Sequence, residues 1–135
     1  MCGFLYHQSK NIHRKNIISF KKASRLLYKR GPEKKKFIID KSKRVFHARL
    51  KIIDLNDRAS QPFSYKKYSI IFNGEIYNYK FLKKKLSKKF FFKTNSDTEV
   101  LLYSYLYWKE NMFKKIEGMY SFVIYNNYNN NLFFC

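Results

Sequence analysis

The sequence predicts an α+β layered sandwich. Short apolar stretches of strand character alternate with longer stretches whose apolar residues recur at helical spacing. The strand candidates come in adjacent pairs, as antiparallel pairing requires. In 135 residues, 45% hydrophobic and 20% aromatic side chains supply a core for one ordinary domain, residues 1–135.

Cys2-Gly3-Phe4-Leu5-Tyr6-His7 is short, apolar and aromatic, and reads as a buried strand. Asn11 to Lys29 reads as an amphipathic helix through Ile12, Ile17, Ile18, Phe20, Ala23, Leu26 and Leu27, stopped by Arg30-Gly31-Pro32. Phe37 to Asp40 and Val45 to Ile53 read as strands around a polar turn, and Leu55 to Pro62 as a loop. Tyr68 to Phe72 is the next strand, with Asn73-Gly74 directly after it. Glu75 to Phe90 places Ile76, Tyr79, Leu82 and Leu86 on one helical face. Phe91-Phe92-Lys93 suggests a short strand. Ser96-Asp97-Thr98-Glu99 has the form of a capping box, predicting a helix from Asp97 to about Glu110 and a further turn near Met112 to Ile116. Tyr120 to Tyr125 is a strand, Asn126 to Asn131 a turn, and Leu132 to Cys135 the start of a returning strand. Phe133 and Phe134 are expected to face water or a neighbouring chain. The fold is expected to be incomplete at its C-terminal end. The chain alone is therefore expected to be marginally folded, with little turnover.

No apolar run reaches the length of a membrane span. His7, Lys10, His13, Arg14 and Lys15 interrupt any signal-peptide core. Two cysteines, one at each end, make no disulfide framework, so a cytoplasmic location is expected. The net charge of +20 suggests a nucleic-acid or other anionic partner. The lysines, however, are spread along the whole chain. The bias toward Lys, Asn, Ile, Phe and Tyr also resembles the product of an A+T-rich coding sequence, so nucleic acid is not the expected partner.

Two stretches carry chemistry. Cys2 follows Met1, and removal of Met1 leaves a thiol and an α-amine on one residue. The amine, with a reference pKa of about 7.7–8.0, can act as base for the thiol. The plainer alternative is a small apolar residue starting a strand. Asn73-Gly74 joins an amide side chain to a backbone N–H, which is enough for an oxyanion hole. The plainer alternative there is a hairpin turn.

Seven segments occur in order: Met1-Cys2-Gly3, Arg30-Gly31-Pro32, His47 to Asp54, Gln61-Pro62-Phe63, Phe72 to Tyr79, Ser96 to Leu102 and Glu117 to Phe122. Together they resemble the N-terminal glutaminase domain of glutamine-hydrolysing asparagine synthetase, a class II glutamine amidotransferase among the N-terminal nucleophile hydrolases. The resemblance implies an αββα sandwich and a cysteine that hydrolyses glutamine to glutamate and ammonia. It implies Cys2, Asn73 and Gly74 as catalytic residues. Arg49 would take the substrate α-carboxylate, and Glu75 and Asp97 the α-ammonium. Leu50, Lys51, Ile52 and Ile53 would line the pocket with Asn73 and Gly74. The alternatives are a surface cation at Arg49, a solvated helix-start charge at Glu75 and a favourable first-turn charge at Asp97. Glutamine is the implied partner, with a separate chain or downstream domain for the synthetase activity. No metal or cofactor is implied in this chain; ATP and Mg belong to the synthetase domain, whose glycine-rich pyrophosphate loop is missing. Lys51 and Glu33 depart mildly from the family pattern. A decayed, non-catalytic remnant and a basic nucleic-acid-binding module are the alternatives.

Overall fold

The computed structural model describes residues 2–10, 13–129 and 131–135. Two antiparallel sheets stack between helices. Strands β1 (Gly3–Gln8), β2 (Lys34–Ile39) and β3 (Lys43–Arg49) form one sheet in the order β1-β3-β2. Strands β4 (Phe63–Tyr65), β5 (Tyr68–Ile76), β6 (Gly118–Asn126) and β7 (Leu132–Phe134) form the other, in that order. Val45, Ile71 and Tyr125 are buried between the sheets, with Phe4, Tyr6, Ile38 and Val123 around them. Helix α1 (Arg14–Arg25) covers the outer face of the first sheet through Phe20 on Phe46 and Ala48. Helices α2 (Tyr79–Leu86) and α3 (Asp97–Trp108) cover the second, where Leu82, Leu86, Val100, Leu101 and Tyr103 meet Ile70, Phe72, Phe122 and Ile124. The layers therefore run α, β, β, α, as the resemblance implies.

Several boundaries differ from the sequence reading. Helix α1 ends at Arg25 and a 3-10 turn, Tyr28–Arg30, follows; Asn11 and Ile12 lie outside the described residues. Its buried face also differs. Ala23 and Leu26 are exposed, and Ser24 is buried instead, its hydroxyl donating to the Lys21 carbonyl at 2.8 Å. Strand β3 stops at Arg49, not Ile53, because the following loop is held by polar contacts rather than by a ladder. Phe91 to Lys93 is not a strand. The buried Glu99 carboxylate takes the Lys93 and Thr94 N–H groups at 3.0 and 2.7 Å. That also halves the capping box. The Ser96 hydroxyl accepts from Thr98 N–H, but Ser96 N–H is met by the Thr94 hydroxyl, not by Glu99. A 3-10 helix, Lys109–Lys114, follows α3. Phe133 is not left to water: it stacks on Tyr105, ring centroids 4.5 Å apart, whereas Phe134 is 71% exposed.

The correction that matters most lies in β5. Asn73-Gly74 neither follows the strand nor turns a hairpin. The strand continues through both residues to Ile76, pairing Asn73 with Ser121 and Gly74 with Tyr120. Backbone pairing extends even further, from Tyr77 N–H to the Glu117 carbonyl at 2.7 Å. Helix α2 therefore starts only at Tyr79, and Glu75 is a strand residue rather than a helix start.

Gly31 packs against β3 so closely that a Cβ would lie 2.2 Å from the Ala48 carbonyl carbon. A Cβ on Gly3 would meet only the Arg30 and Leu27 side chains, at 3.2 Å. Overpacking a core costs about 1–3 kcal/mol, more when backbone must shift. Gly31→Ala should therefore lose clearly more stability in urea unfolding than Gly3→Ala; equal losses would show that the backbone yields at Gly31.

Candidate active site

The site grows out of the end of β4. In an antiparallel strand, the N–H and C=O of one residue point to the same neighbour, and those of the next to the other. Tyr77, like the other odd-numbered β5 residues, bonds toward β6, so even-numbered residues face β4. Strand β4 pairs with Tyr68 and Ile70 and begins only at Phe63, directly after Pro62. Phe72, Gly74 and Ile76 are left on an open edge. The Gln61 side-chain carbonyl accepts from Phe72 N–H at 2.5 Å. The Asp97 carboxylate accepts from Ile76 N–H at 3.1 Å. Between them, Gly74 N–H is directed at open space. At φ +147°, with a would-be Cβ 2.0 Å from the Met119 carbonyl oxygen, position 74 admits only glycine.

That space is a cavity of about 210 Å³ whose wall includes Cys2, Arg49, Gly74, Glu75 and Asp97. It is below the ~300–1,000 Å³ of drug-sized ligand sites, in keeping with a small metabolite. Leu50, Ile52 and Ile53 also line it. Two sequence-predicted residues do not. Lys51 turns away to pair with Asp57 at 2.9 Å. Asn73 is off the wall, on the β5 face that carries Ile71 toward the first sheet, and its side-chain oxygen is buried without a partner. Met1 lies outside the described residues.

Cys2 sits at the entry to β1, its sulfur accepting from Leu50 N–H at 3.3 Å and facing the Leu50 carbonyl at 3.7 Å. Burial pushes its thiol pKa up, opposed by the Leu50 N–H and the Arg49 charge. The thiol is thus protonated at neutral pH and needs a base to become a nucleophile.

Arg49 is buried, which removes the surface-cation alternative. Its guanidinium donates to the Asn56 carbonyl at 3.0 Å, the Ser60 hydroxyl at 3.1 Å and the Asp54 carbonyl. These bonds use three of five N–H donors and set the plane of the fork. Asp54 ties the loop to α3: its carboxylate takes Asn56 N–H at 2.9 Å and Asn95 N–H at 2.8 Å. Asp97, at the start of α3, is almost wholly buried. Burial pushes its pKa up to about 6, against the Ile76 and Thr98 N–H groups, and the Glu75 charge adds to the rise. Glu75 itself is exposed at the cavity mouth. Asp97 is therefore more than a first-turn charge. The cavity brings the Glu75 and Asp97 carboxylates, the Arg49 guanidinium and the Cys2 thiol to one wall, with Gly74 among them.

A match to the glutamine amidotransferase domain family extends over residues 1–135. The chain belongs to this family. It is 38% identical over 134 residues to asparagine synthetase [glutamine-hydrolyzing] 1 of Bacillus subtilis (strain 168), covering 93% of this chain and 21% of that protein. It is 31% identical over 105 residues to asparagine synthetase B [glutamine-hydrolyzing] of Escherichia coli (strain K12), covering 77% and 19%. The chain thus spans about a fifth of the length of these relatives. Among solved structures it resembles glutamine phosphoribosylpyrophosphate amidotransferase from B. subtilis, with a TM-score of 0.53, 24% identity, and coverage of 64% and 22%. That likeness shows the fold alone, two stacked sheets between helices. Among the described residues no helix is long and apolar enough to cross a membrane.

Sequence reasoning missed Gln61, Asp54 and Thr98 as parts of this domain's site. Gln61 and Asp54 stood in segments that carried the resemblance, but their contacts, Gln61 on the open β5 edge and Asp54 on the loop that holds Arg49, are made only by the fold. Residues 56–60, which hold Arg49, looked like an ordinary polar loop.

Because folding raises the Asp97 pKa from 3.8 to about 6, the group favours the folded state below the unfolded value and loses that contribution as pH rises through about 6. A shift of this size corresponds to on the order of 3 kcal/mol. Asp97→Asn keeps an acceptor for Ile76 N–H and removes the buried charge. Its melting temperature should exceed that of the unaltered chain at about pH 7, and the gap should close near pH 4. A variant less stable at both pH values would mean that the carboxylate holds the fold together.

Proposed function

We propose that this chain hydrolyses the side-chain amide of glutamine through Cys2. The observation that carries the reading is the meeting, in one small cavity, of a half-buried thiol, Gly74 with its outward-facing N–H, a fixed guanidinium and the carboxylates of Glu75 and Asp97. Arg49 complements an α-carboxylate through the donors its loop leaves over, and Glu75 with Asp97 complements an α-ammonium. A zwitterionic α-amino acid meets both needs, and its side chain then extends toward the thiol.

Once Met1 is removed, the Cys2 α-amine takes the thiol proton and the sulfur adds to the carboxamide carbon. The carbonyl oxygen becomes an oxyanion, held by Gly74 N–H and the Asn73 side-chain amide. The buried, unpartnered Asn73 oxygen supports this: an amide without an anchor can turn its NH₂ toward the developing charge. Collapse breaks the C–N bond, and the protonated amine gives its proton to the departing ammonia. Water, deprotonated by the same amine, then adds to the thioester and releases glutamate. In this reading the ammonia would pass to aspartate activated with ATP and magnesium on a synthetase domain. For this chain that domain would be downstream or on a separate chain, and the setting the cytoplasm.

The test uses the purified chain. A diazo-ketone analogue of glutamine should alkylate Cys2 and not the exposed Cys135, and glutamate release should be lost in Cys2→Ala. Equal labelling of both cysteines would contradict the assignment. Arg49→Ala should weaken glutamine recognition by about tenfold to a hundredfold, the scale of a charged hydrogen bond, with Arg49→Lys intermediate. Reaction of Cys2 with a small neutral alkylator should change far less. Parallel losses in both reactions would make Arg49 structural only.

A further inference from the structure

The Phe72 peptide groups, one residue before Asn73, are gripped by two side chains from outside the second sheet. Gln61 stands at the register position opposite Phe72, since Phe63 pairs with Ile70 and the next facing pair would be Gln61 and Phe72. The β4 ladder does not reach that pair, and the Gln61 side chain takes its place, accepting from Phe72 N–H at 2.5 Å. The Gln61 NH₂ donates to the Thr98 hydroxyl at 3.2 Å, in the first turn of α3 and one residue beyond Asp97. At the carbonyl of the same residue, the His47 ring approaches the Phe72 oxygen at 3.4 Å. Burial lowers the His47 pKa to about 4, so near neutral pH the ring is uncharged, with its Nε2–H on that carbonyl. His47 lies two residues before Arg49 on β3. Gln61 and His47 are both buried.

We propose that Gln61 is a positioning residue for amide hydrolysis, one side-chain amide that fixes the oxyanion donors of β5 relative to the carboxylate at the start of α3. The proposal rests on the reading of the site as a glutaminase. Both ends of the substrate must be held at one separation for the carboxamide to reach Cys2. The bond from Phe72 to Gln61 and the bond from Gln61 to Thr98 span that separation directly. Asp97 takes Ile76 N–H on one flank of Gly74; the Gln61 bonds add the tie on the other flank, through Phe72, so that Gly74 N–H is fixed from both sides. A residue with this role tunes reaction with substrate-shaped molecules and leaves the intrinsic reactivity of the thiol alone.

The experiment compares two alkylation rates at Cys2 in the full chain, one with the diazo-ketone analogue of glutamine and one with iodoacetamide. Gln61→Met keeps the length and apolar bulk but presents no acceptor for Phe72 N–H. We expect the analogue to react about tenfold to a hundredfold more slowly, the cost of a displacement of about 1 Å in such a site, with iodoacetamide within about twofold of the unaltered chain. Equal analogue rates, or parallel losses with both reagents, would overturn the proposal. Should Gln61→Met not fold, Thr98→Val and Thr98→Ser decide. The serine keeps the hydroxyl and should react with the analogue clearly faster than the valine; indistinguishable rates would overturn the role. If the unaltered chain itself shows no preference of the analogue for Cys2 over Cys135, the glutaminase reading fails before Gln61 is tested.

Discussion

The site depends on one interruption in a ladder of hydrogen bonds. A strand that keeps its neighbour has no backbone N–H to offer a ligand. Strand β5 loses its neighbour after Ile70 because β4 begins only at Phe63, directly after Pro62. Three alternate residues then face outward, two of them satisfied by side chains from Gln61 and Asp97. Only Gly74 is left to the cavity. The polar edge is thus closed except at Gly74, where it meets the cavity. The absence of a Cβ at Gly74 allows β6 to approach there without losing the pairing.

The rest of the site hangs on the same edge. Asp97 is both the acceptor for Ile76 N–H and the buried carboxylate of the cavity, so folding and electrostatics meet in one group. Its raised pKa is the cost of keeping a charge ready in a poorly solvated place. Arg49 comes from the other sheet, and its orientation is set by a loop that Asp54 fastens to the residues before α3. The two charged ends of the cavity are therefore braced against each other through Asn95 and Ser96, next to the first turn of α3. Cys2 enters between them at the mouth of β1, where the Leu50 N–H and carbonyl face its sulfur.

The α+β class was legible because strand and helix periods alternate, and the layer order through the family resemblance; β1, read as a buried strand, is a half-buried edge strand. Cys2, Arg49, Gly74 and Asp97 were legible as residue types in a family pattern. What the sequence did not show was geometry made by pairing partners far apart in the chain. Asn73-Gly74 looked like a break after Phe72, since glycine usually weakens a strand; the partner Gly118 to Tyr120 lets the strand run on. Ala23 and Leu26 were read as part of the apolar face of α1, yet both are exposed and Ser24 packs inward, its hydroxyl bonded to a carbonyl within the helix. Glu99 read as half of a capping box, whereas its carboxylate organises the chain ahead of the helix. Lys51 was grouped with its neighbours by position, but the loop turns its side chain to Asp57.

The central claim is that this cavity reads both α-charges of an amino acid while presenting its side chain to Cys2. Calorimetric titration of Cys2→Ala with L-glutamine and with the analogue lacking the α-amine tests it most directly. The account predicts binding of L-glutamine that weakens below about pH 6 as Asp97 gains its proton, and at least about tenfold weaker binding of the des-amino analogue, which leaves both carboxylates without a partner. Equal affinity for the two molecules, or affinity indifferent to pH across that range, would contradict it.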